Sequence, residues 1–230
     1  MDKCPSNPEF AITPTSPAVS KELDKAIKKG VKVVLMDNDI PAWKRKTSVV
    51  ATDNLKGGML AGKYLSTRLK AGDTLGILEG VPGVPALDAR VTGMLAGLGS
   101  LKSQVKVVSK LETDCAQDKG LSAAQDMLTA NPTITAIYSA CGPPVLGLVQ
   151  VLKTQSKQPG EVIVVGFDAL PDEVAQIKAG WETASVAQFP AKIGSLGVAT
   201  LYRAVQGKKV PKNVDTGTAL VTKANAAKFG

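Results

Sequence analysis

The sequence contains no histidine and few aromatic residues, and these two scarcities narrow the chemistry open to the chain. None of the 230 residues is histidine, and phenylalanine, tryptophan and tyrosine together make up 4%. Histidine is the most frequent general base in enzymes and the commonest ligand of transition metals. Aromatic rings supply the stacking platforms of single-strand nucleic-acid binders. The composition therefore counts against histidine-based catalysis and against base-stacking recognition of nucleic acid.

Cysteine is also scarce, and its spacing argues against a metal site. Cys4, Cys115 and Cys141 lie far apart along the chain and form no C-x-x-C pair of the kind that binds zinc. Two interpretations remain, namely three separate buried thiols or a disulfide between Cys115 and Cys141. We predict neither a metal site nor a cofactor.

Long hydrophobic runs and blocks of like charge are absent as well. No run reaches the roughly 18 apolar residues that a membrane-spanning helix needs, and no signal peptide is recognisable in this chain. The net charge is +8, but the lysines are scattered, so we expect them on solvated helix faces and predict no nucleic-acid partner. The chain is expected to be a soluble protein with a substantial core.

What the sequence does contain is a regular alternation of short apolar runs and amphipathic segments. The apolar runs are rich in β-branched residues and predict buried parallel strands, at 10–12, 31–36, 48–51, 74–78, 105–111, 133–138, from 162 and at 183–186. The intervening segments predict helices, from Pro17, at 55–70, 85–98 and 117–129, from Pro143, and at 171–178 and 190–206. This alternation predicts an α/β fold. Changes of pattern near residues 52–54 and 188–190 favour two lobes over one large sheet.

Polar side chains follow several of these predicted strands. Asp168 follows the strand that starts at 162, Asp37 follows the strand at 31–36, and the loop after 74–78 leads to Arg90. Ligands of open α/β sheets bind beyond the carboxyl ends of the strands. Carboxylates and a guanidinium offer many hydrogen bonds, which suits the hydroxyls of a polyol better than catalysis. In the alternative interpretation, the two aspartates cap the helices after their strands and Arg90 forms a surface ion pair.

A set of short motifs, taken in order, carries a family resemblance. The motifs are Ile12-Thr13-Pro14-Thr15, Leu35-Met36-Asp37, Thr52-Asp53-Asn54 with Gly57-Gly58, Asp88-Ala89-Arg90, Val165-Gly166-Phe167-Asp168 and Ala187-Gln188. From about residue 10 to its C-terminus, the chain resembles the periplasmic sugar-binding proteins of the ribose and galactose type, which feed ABC importers. The segment Val214–Lys223 is similar to the closing segment of transporter-linked members rather than of the sugar-sensing repressors.

The resemblance implies two Rossmann-like lobes with parallel sheets, as in type I periplasmic binding proteins, with a sugar held in the cleft between them. The lobes are expected at 1–52 with 189–216 and at 53–188 with 217–230. Family members begin with roughly 50 to 60 further residues, about two βα units, so the N-terminal lobe is expected to be incomplete. We therefore expect self-association or a complementing N-terminal fragment, and a periplasmic location.

The resemblance also assigns the ligand-binding residues by position. They are Thr13, Asp37, Asn38, Arg90, Cys141, Asp168 and Gln188. Cys115 and Cys141 stand at strand ends where family members carry an aromatic residue and an Asn-Asp pair. These ends are neighbours in the family, which favours the disulfide.

The predicted function is binding of a monosaccharide or polyol, without catalysis, and its delivery to an ABC transporter permease. A chemoreceptor is a further partner that the resemblance suggests. The alternative is the effector-binding core of a sugar-responsive transcriptional repressor. A third possibility, a glycosidase, would use the carboxylates of Asp37 and Asp168.

Overall fold

The structure is a computed structural model that describes residues 9–14 and 16–229, so Cys4 and Thr15 lie outside the described residues. Strands and helices alternate along most of this range, and none of its helices combines the length and apolar character needed to cross a membrane. The strands are β1 (Glu9–Ile12), β2 (Lys32–Met36), β3 (Ser48–Ala51), β4 (Thr74–Glu79), β5 (Lys106–Glu112), β6 (Ala136–Ser139), β7 (Ile163–Asp168), β8 (Ala184–Ala187), β9 (Asn213–Asp215) and β10 (Ala219–Thr222). The α-helices are α1 (Ser20–Lys28), α2 (Asn54–Ser66), α3 (Pro85–Gly97), α4 (Gln117–Ala130), α5 (Gly142–Thr154), α6 (Pro171–Ala179) and α7 (Pro190–Val205).

The fold is α/β, as the alternation predicts, and the chain divides into two compact units. Unit 1 comprises Met1–Asp53, Val84–Ala86 and Phe189–Gly217, and unit 2 comprises Asn54–Gly83, Leu87–Gln188 and Thr218–Gly230. The chain changes unit at 53/54, 83/84, 86/87, 188/189 and 217/218. Residues 84–86 lie in unit 1, although the expected lobe ranges put them in the other lobe.

The sheet of unit 1 has four described strands, in the order β1-β2-β3-β9, and all neighbouring pairs are parallel. β2 is buried on both faces, since Val33, Val34 and Leu35 are fully inaccessible to solvent. Leu23 of α1 packs on one face of the sheet and Leu201 of α7 packs on the other. β1 forms an edge of this sheet, and no strand pairs with its outer side among the described residues.

The sheet of unit 2 has six strands in the order β10-β8-β7-β6-β4-β5. Its neighbouring pairs are parallel except that β10 runs antiparallel to β8. This antiparallel edge strand, for which the sequence carries no prediction, completes an otherwise parallel sheet. β10 follows β9 without a crossover helix, so the handedness rule for βαβ units does not fix its direction.

Among the element boundaries that differ from the sequence-based expectation, two have local hydrogen bonds beside them. α2 ends at Ser66 rather than near residue 70, because the hydroxyls of Ser66 and Thr67 donate to the carbonyls three residues earlier. The strand expected at 133–138 begins at Ala136, because a turn in which the Ile134 amide donates to the Asn131 carbonyl precedes it.

Glycines allow α2 and α3 to pack backbone against backbone, which sets the position of Arg90 on α3. A Cβ atom added at Gly58 or Gly62 of α2 would overlap the carbonyl oxygen of Arg90 or Met94, respectively. Gly93 and Gly97 of α3 face the backbone of α2 in the same way. The close approach therefore needs residues without side chains on both helices.

We predict that Gly62→Ala destabilises the protein by about 1–3 kcal/mol, because the added methyl group forces the two helices apart. Gly194→Ala in α7 is the matched control, since no atom lies within 4 Å of its added Cβ. That variant is expected to be neutral or to stabilise by about 0.5–1 kcal/mol, through the better helix propensity of alanine. Urea unfolding of both variants measures the difference, and equal stabilities would contradict the packing argument.

Candidate functional site

Three of the predicted residues meet at the carboxyl edge of the unit 2 sheet. Asp168 is the last residue of β7, Gln188 directly follows the neighbouring strand β8, and Arg90 extends from α3. Oδ1 of Asp168 accepts a 2.6 Å hydrogen bond from Nε2 of Gln188 and a 3.3 Å bond from Nη1 of Arg90. We call these three side chains the Arg90 cluster. Adjacent parallel strands bring Asp168 and Gln188 together, although 20 residues separate them in the sequence.

Arg90 is a buried cation held on several sides. Its side chain is only 7% exposed, so the alternative of a surface ion pair is wrong. Nε donates to Oδ1 of Asn54 at 2.8 Å, and Nη1 donates to the carbonyl oxygen of Ala140 at 2.8 Å. The guanidinium also stacks on Phe167, 4.0 Å from the ring centre, which adds a cation–π attraction. None of these hydrogen bonds uses Nη2, so that nitrogen can donate to a ligand.

Asp168 adopts an unusual backbone conformation, and its carboxylate does not cap the helix that follows its strand. Its φ angle is 96°, and that of the next residue, Ala169, is 49°. Successive non-glycine residues in this region are strained and are typical of functional sites. Oδ2 accepts from the amide of Gly142, the first residue of α5, at 3.1 Å. The carboxylate thus faces the N-terminus of a different helix, whose dipole stabilises its charge.

Gln188 carries an acceptor that the protein itself does not use. Oε1 of Gln188 is buried, and no donor reaches it from any of the described residues. Leaving a buried carbonyl oxygen unpaired costs about 1–3 kcal/mol. A ligand hydroxyl that donates to this oxygen would remove the cost.

The other predicted ligand residues belong to unit 1. Asp37 follows β2 with a φ angle of 64°, its amide donates to the Val50 carbonyl, and its Oδ2 accepts from Nδ2 of Asn38 at 3.2 Å. β2 is followed by β3 with no helix in between, so the helix-cap interpretation of Asp37 is wrong. Thr13 is exposed just after β1. The ligand contacts of these three residues remain predictions.

The two tryptophans have packing roles. Trp43 is buried in the unit 1 core, and its Nε1 donates to Asp24. Trp181 packs at the edge of the unit 2 core, and Lys153 lies over its ring.

A disulfide joins Cys115 and Cys141 in unit 2, so the interpretation of three separate thiols is wrong for this pair. Cys141 is 2% exposed and precedes α5. A ligand contact by Cys141 remains a prediction, and its sulfur cannot donate a hydrogen bond while the bridge is intact. The described residues contain no group of three or more cysteine, histidine or acidic side chains placed to hold a metal ion.

Two buried glutamates next to β7 support the Arg90 cluster, and neither was among the residues predicted from the sequence. Glu173 and Glu182 are buried, and a Cβ added at Gly166 would lie within 2.7 Å of a carboxyl oxygen of each of them. Oε2 of Glu173 accepts from the Leu170 amide, and its Oε1 accepts from Oγ of Ser185, which itself accepts from the Ala169 amide. Glu173 stands at the third helical position of α6, a spacing typical of capping glutamates. No such signal marks Glu182.

Burial governs the protonation of this carboxyl pair. It raises the pKa of Glu173 to about 8 and raises the pKa of Glu182 well above its ordinary value, to which the negative charge of Glu173 adds. The Glu182 carboxyl group lies within hydrogen-bond reach of the Glu173 carboxyl group and of the Gly166 backbone, so a retained proton is shared between the two side chains. The pair is therefore stable when it retains protons, and its full ionisation is costly.

Comparisons with known proteins agree with this architecture. The family model described as a periplasmic binding protein domain matches residues 10–209. The ribose import binding protein RbsB of Bacillus subtilis is 33% identical over 92% of this chain and 67% of that protein. A D-ribose/D-allose-binding protein of Pseudomonas aeruginosa is 32% identical over 90% of this chain and 68% of its own length. An ABC transporter solute binding protein from Burkholderia graminis, solved with D-arabinose, matches with a TM-score of 0.89 and 28% identity over 96% of this chain and 77% of that one.

We predict that the protein loses stability as the pH rises from about 5 to about 8. The unfolded chain releases the glutamate protons near pH 4.5, whereas folded Glu173 keeps its proton up to about pH 8. Each proton retained only by the folded state lowers the free energy of unfolding by up to about 1.4 kcal/mol per pH unit. Urea unfolding at a series of pH values measures this slope.

Glu182→Leu is expected to flatten the slope, because it removes one of the two buried carboxyl groups. Glu22→Gln, at an exposed position of α1, is the matched control and should leave the slope unchanged. A slope that is the same in wild type and Glu182→Leu would contradict the assignment.

Proposed function

This chain belongs to the periplasmic binding protein domain family, and we propose that it binds a monosaccharide or polyol and delivers it to an ABC-type membrane importer. The relatives above are sugar-binding proteins of the ribose and allose type, and their names describe binding and import rather than transcriptional repression. We infer a periplasmic location from the same relatives. Binding without catalysis is part of the proposal.

The observation that supports it most directly is the buried, unpaired Oε1 of Gln188 beside the Asp168 carboxylate. A sugar ring presents several hydroxyls, each of which donates once and accepts up to twice. Oε1 of Gln188 and the Asp168 carboxylate would accept from hydroxyls, while Nη2 of Arg90 would donate to a hydroxyl or the ring oxygen. The cluster therefore offers acceptors and a donor in the mixture that a polyol needs.

Asp37, Asn38 and Thr13 of unit 1 supply further contacts to the same sugar in this proposal. The strained φ angle of Asp37 parallels that of Asp168, since each aspartate follows a buried strand with a positive φ angle. In both cases the backbone directs a carboxylate beyond the carboxyl edge of a sheet. This shared conformation supports a common role in ligand binding.

The open edge of β1 suggests a second type of contact. Phe10 of β1 is 49% exposed, and two apolar side chains on the outer side of α7, Val198 and Tyr202, are 62% and 52% exposed. Unpaired strand edges and apolar patches favour association. We propose that this face of unit 1 receives a complementing N-terminal fragment, with self-association of the chain as the competing outcome.

We predict that Gln188→Leu and Asp168→Asn each weaken sugar binding at least tenfold, equivalent to about 1.4 kcal/mol. The first removes the buried acceptor. The second replaces a carboxylate oxygen by an amide donor, which faces either the Gly142 amide or the donors of Arg90 and Gln188. Isothermal titration with D-ribose, D-allose and D-arabinose measures the dissociation constants. Gln125→Leu, an exposed change on α4, is the matched control and should leave them unchanged.

A dissociation constant within twofold of wild type for both site variants would reject the Arg90 cluster as the sugar site. No heat with any member of a broader monosaccharide and polyol panel would reject the proposed function itself.

We predict that the β1 face controls the assembly state. Phe10→Lys is expected to abolish any self-association and any binding of a complementing fragment, since a lysine blunts an exposed strand edge. Light scattering across a concentration series measures the mass, and Lys32→Gln on β2 serves as an exposed control in the same sheet. An assembly that persists in Phe10→Lys would contradict this role.

A further inference from the structure

The Cys115–Cys141 disulfide crosses the carboxyl edge of the unit 2 sheet, where the Arg90 cluster lies. Cys115 follows β5, Cys141 follows β6, and β4 runs between these two strands. The bridge passes over Gly80, the residue after β4, where an added Cβ would lie 2.8 Å from one sulfur and 3.0 Å from the other. The disulfide thus ties together the ends of two strands that are not hydrogen-bonded to each other.

Cys141 lies between the two peptide groups that hold the site. The carbonyl oxygen of Ala140 accepts from Nη1 of Arg90, and the amide of Gly142 donates to Oδ2 of Asp168. No side chain caps α5 at Cys141, so the disulfide is the tertiary bond made by this side chain. Fixing Cys141 fixes the neighbouring carbonyl and amide as well.

The other end of the bridge is well anchored. The amide and hydroxyl of Thr113 both donate to the carbonyl oxygen of Glu79, and the Ala116 amide donates to the Thr113 carbonyl. Asp114 and Cys115 have φ angles of 50° and 55°, a left-handed turn that these bonds enclose. The position of Cys115 is therefore fixed by backbone hydrogen bonds, and the disulfide restrains Cys141 relative to it.

From this arrangement we propose that the disulfide is a positioning element for sugar binding, so that the oxidised chain binds its sugar more tightly than the reduced chain. The effect on sugar affinity rests on the proposed function. The positioning of Cys141 by the disulfide is a property of unit 2 alone. Without the bridge, the segment from Ala140 to Gly142 gains freedom, and Arg90 and Asp168 lose partners of fixed position. The free energy needed to order that segment then reduces the free energy of sugar binding.

The reduction can be carried out with a water-soluble phosphine. Two electrons pass from phosphorus to the disulfide, each sulfur takes up a proton, and the phosphine becomes its oxide with an oxygen atom from water. Thiol alkylation before and after this step counts the cysteines. In the Cys4→Ser background, no alkylatable thiol before reduction and two after it define the two states to be compared.

The test uses Cys4→Ser as the background and compares it with a variant that also carries Cys115→Ser and Cys141→Ser. Hydrogen exchange of the peptide covering residues 139–144 reports the Gly142 amide with few others, because Pro143 and Pro144 have no amide proton. We expect that amide to exchange at least tenfold faster in the variant without the bridge. We also expect the dissociation constant for the tightest-binding sugar among D-ribose, D-allose and D-arabinose to rise at least tenfold.

Leu128→Ala in α4 is the control for lost stability alone, because it empties a buried position outside the site. Measured well below the unfolding temperature, this variant should keep both the Gly142 exchange rate and the dissociation constant. An unchanged Gly142 exchange rate in the variant without the bridge would overturn the proposal, even if the unfolding temperature fell. If no sugar binds the oxidised chain, the proposed function fails, and the exchange measurement still decides whether the disulfide positions this segment.

Discussion

The site of unit 2 depends on one buried cation, Arg90, whose charge must be balanced by nearby acceptors. A guanidinium out of water is tolerated only when charges and hydrogen-bond acceptors surround it. Arg90 obtains them from the Asn54 side chain, the Ala140 carbonyl, the Asp168 carboxylate and the face of Phe167. These groups come from α2, the segment after β6 and the end of β7. The requirement to satisfy one side chain therefore fixes three separate parts of the unit around the place where a ligand would bind.

The rest of the unit is arranged so that this cation and its carboxylate partner stay in place. Glycines in α2 and α3 bring the helix that carries Arg90 close to its neighbour. Behind Asp168, the amides of Ala169 and Leu170 donate to Ser185 and Glu173, which holds the left-handed turn after β7. This support places the carboxyl groups of Glu173 and Glu182 in the protein interior, where burial disfavours their ionisation. The strained backbone of Asp168 and Ala169 and the buried charge of Arg90 both lie at the proposed ligand site, as is common at functional sites.

Much of the fold could be predicted from the sequence because the strands of a doubly wound sheet are continuous apolar runs. Val33, Val34 and Leu35 are such a run, and so is the segment that ends at Asp168. Strand order and direction depend on long-range pairing, so the antiparallel β10 was not predicted. For the site, Asp168, Arg90 and Gln188 could be named from family spacing. Asn54 and Glu182 could not, because their roles arise from tertiary contacts that leave no local pattern.

The central claim is that a sugar binds to the Asp168 carboxylate, Oε1 of Gln188 and Nη2 of Arg90. A crystal structure of the protein with the best-binding sugar of a monosaccharide panel tests it most directly. The account predicts sugar oxygens about 2.6–3.2 Å from these three groups. A sugar bound elsewhere, with Oε1 of Gln188 still unpaired, would contradict it.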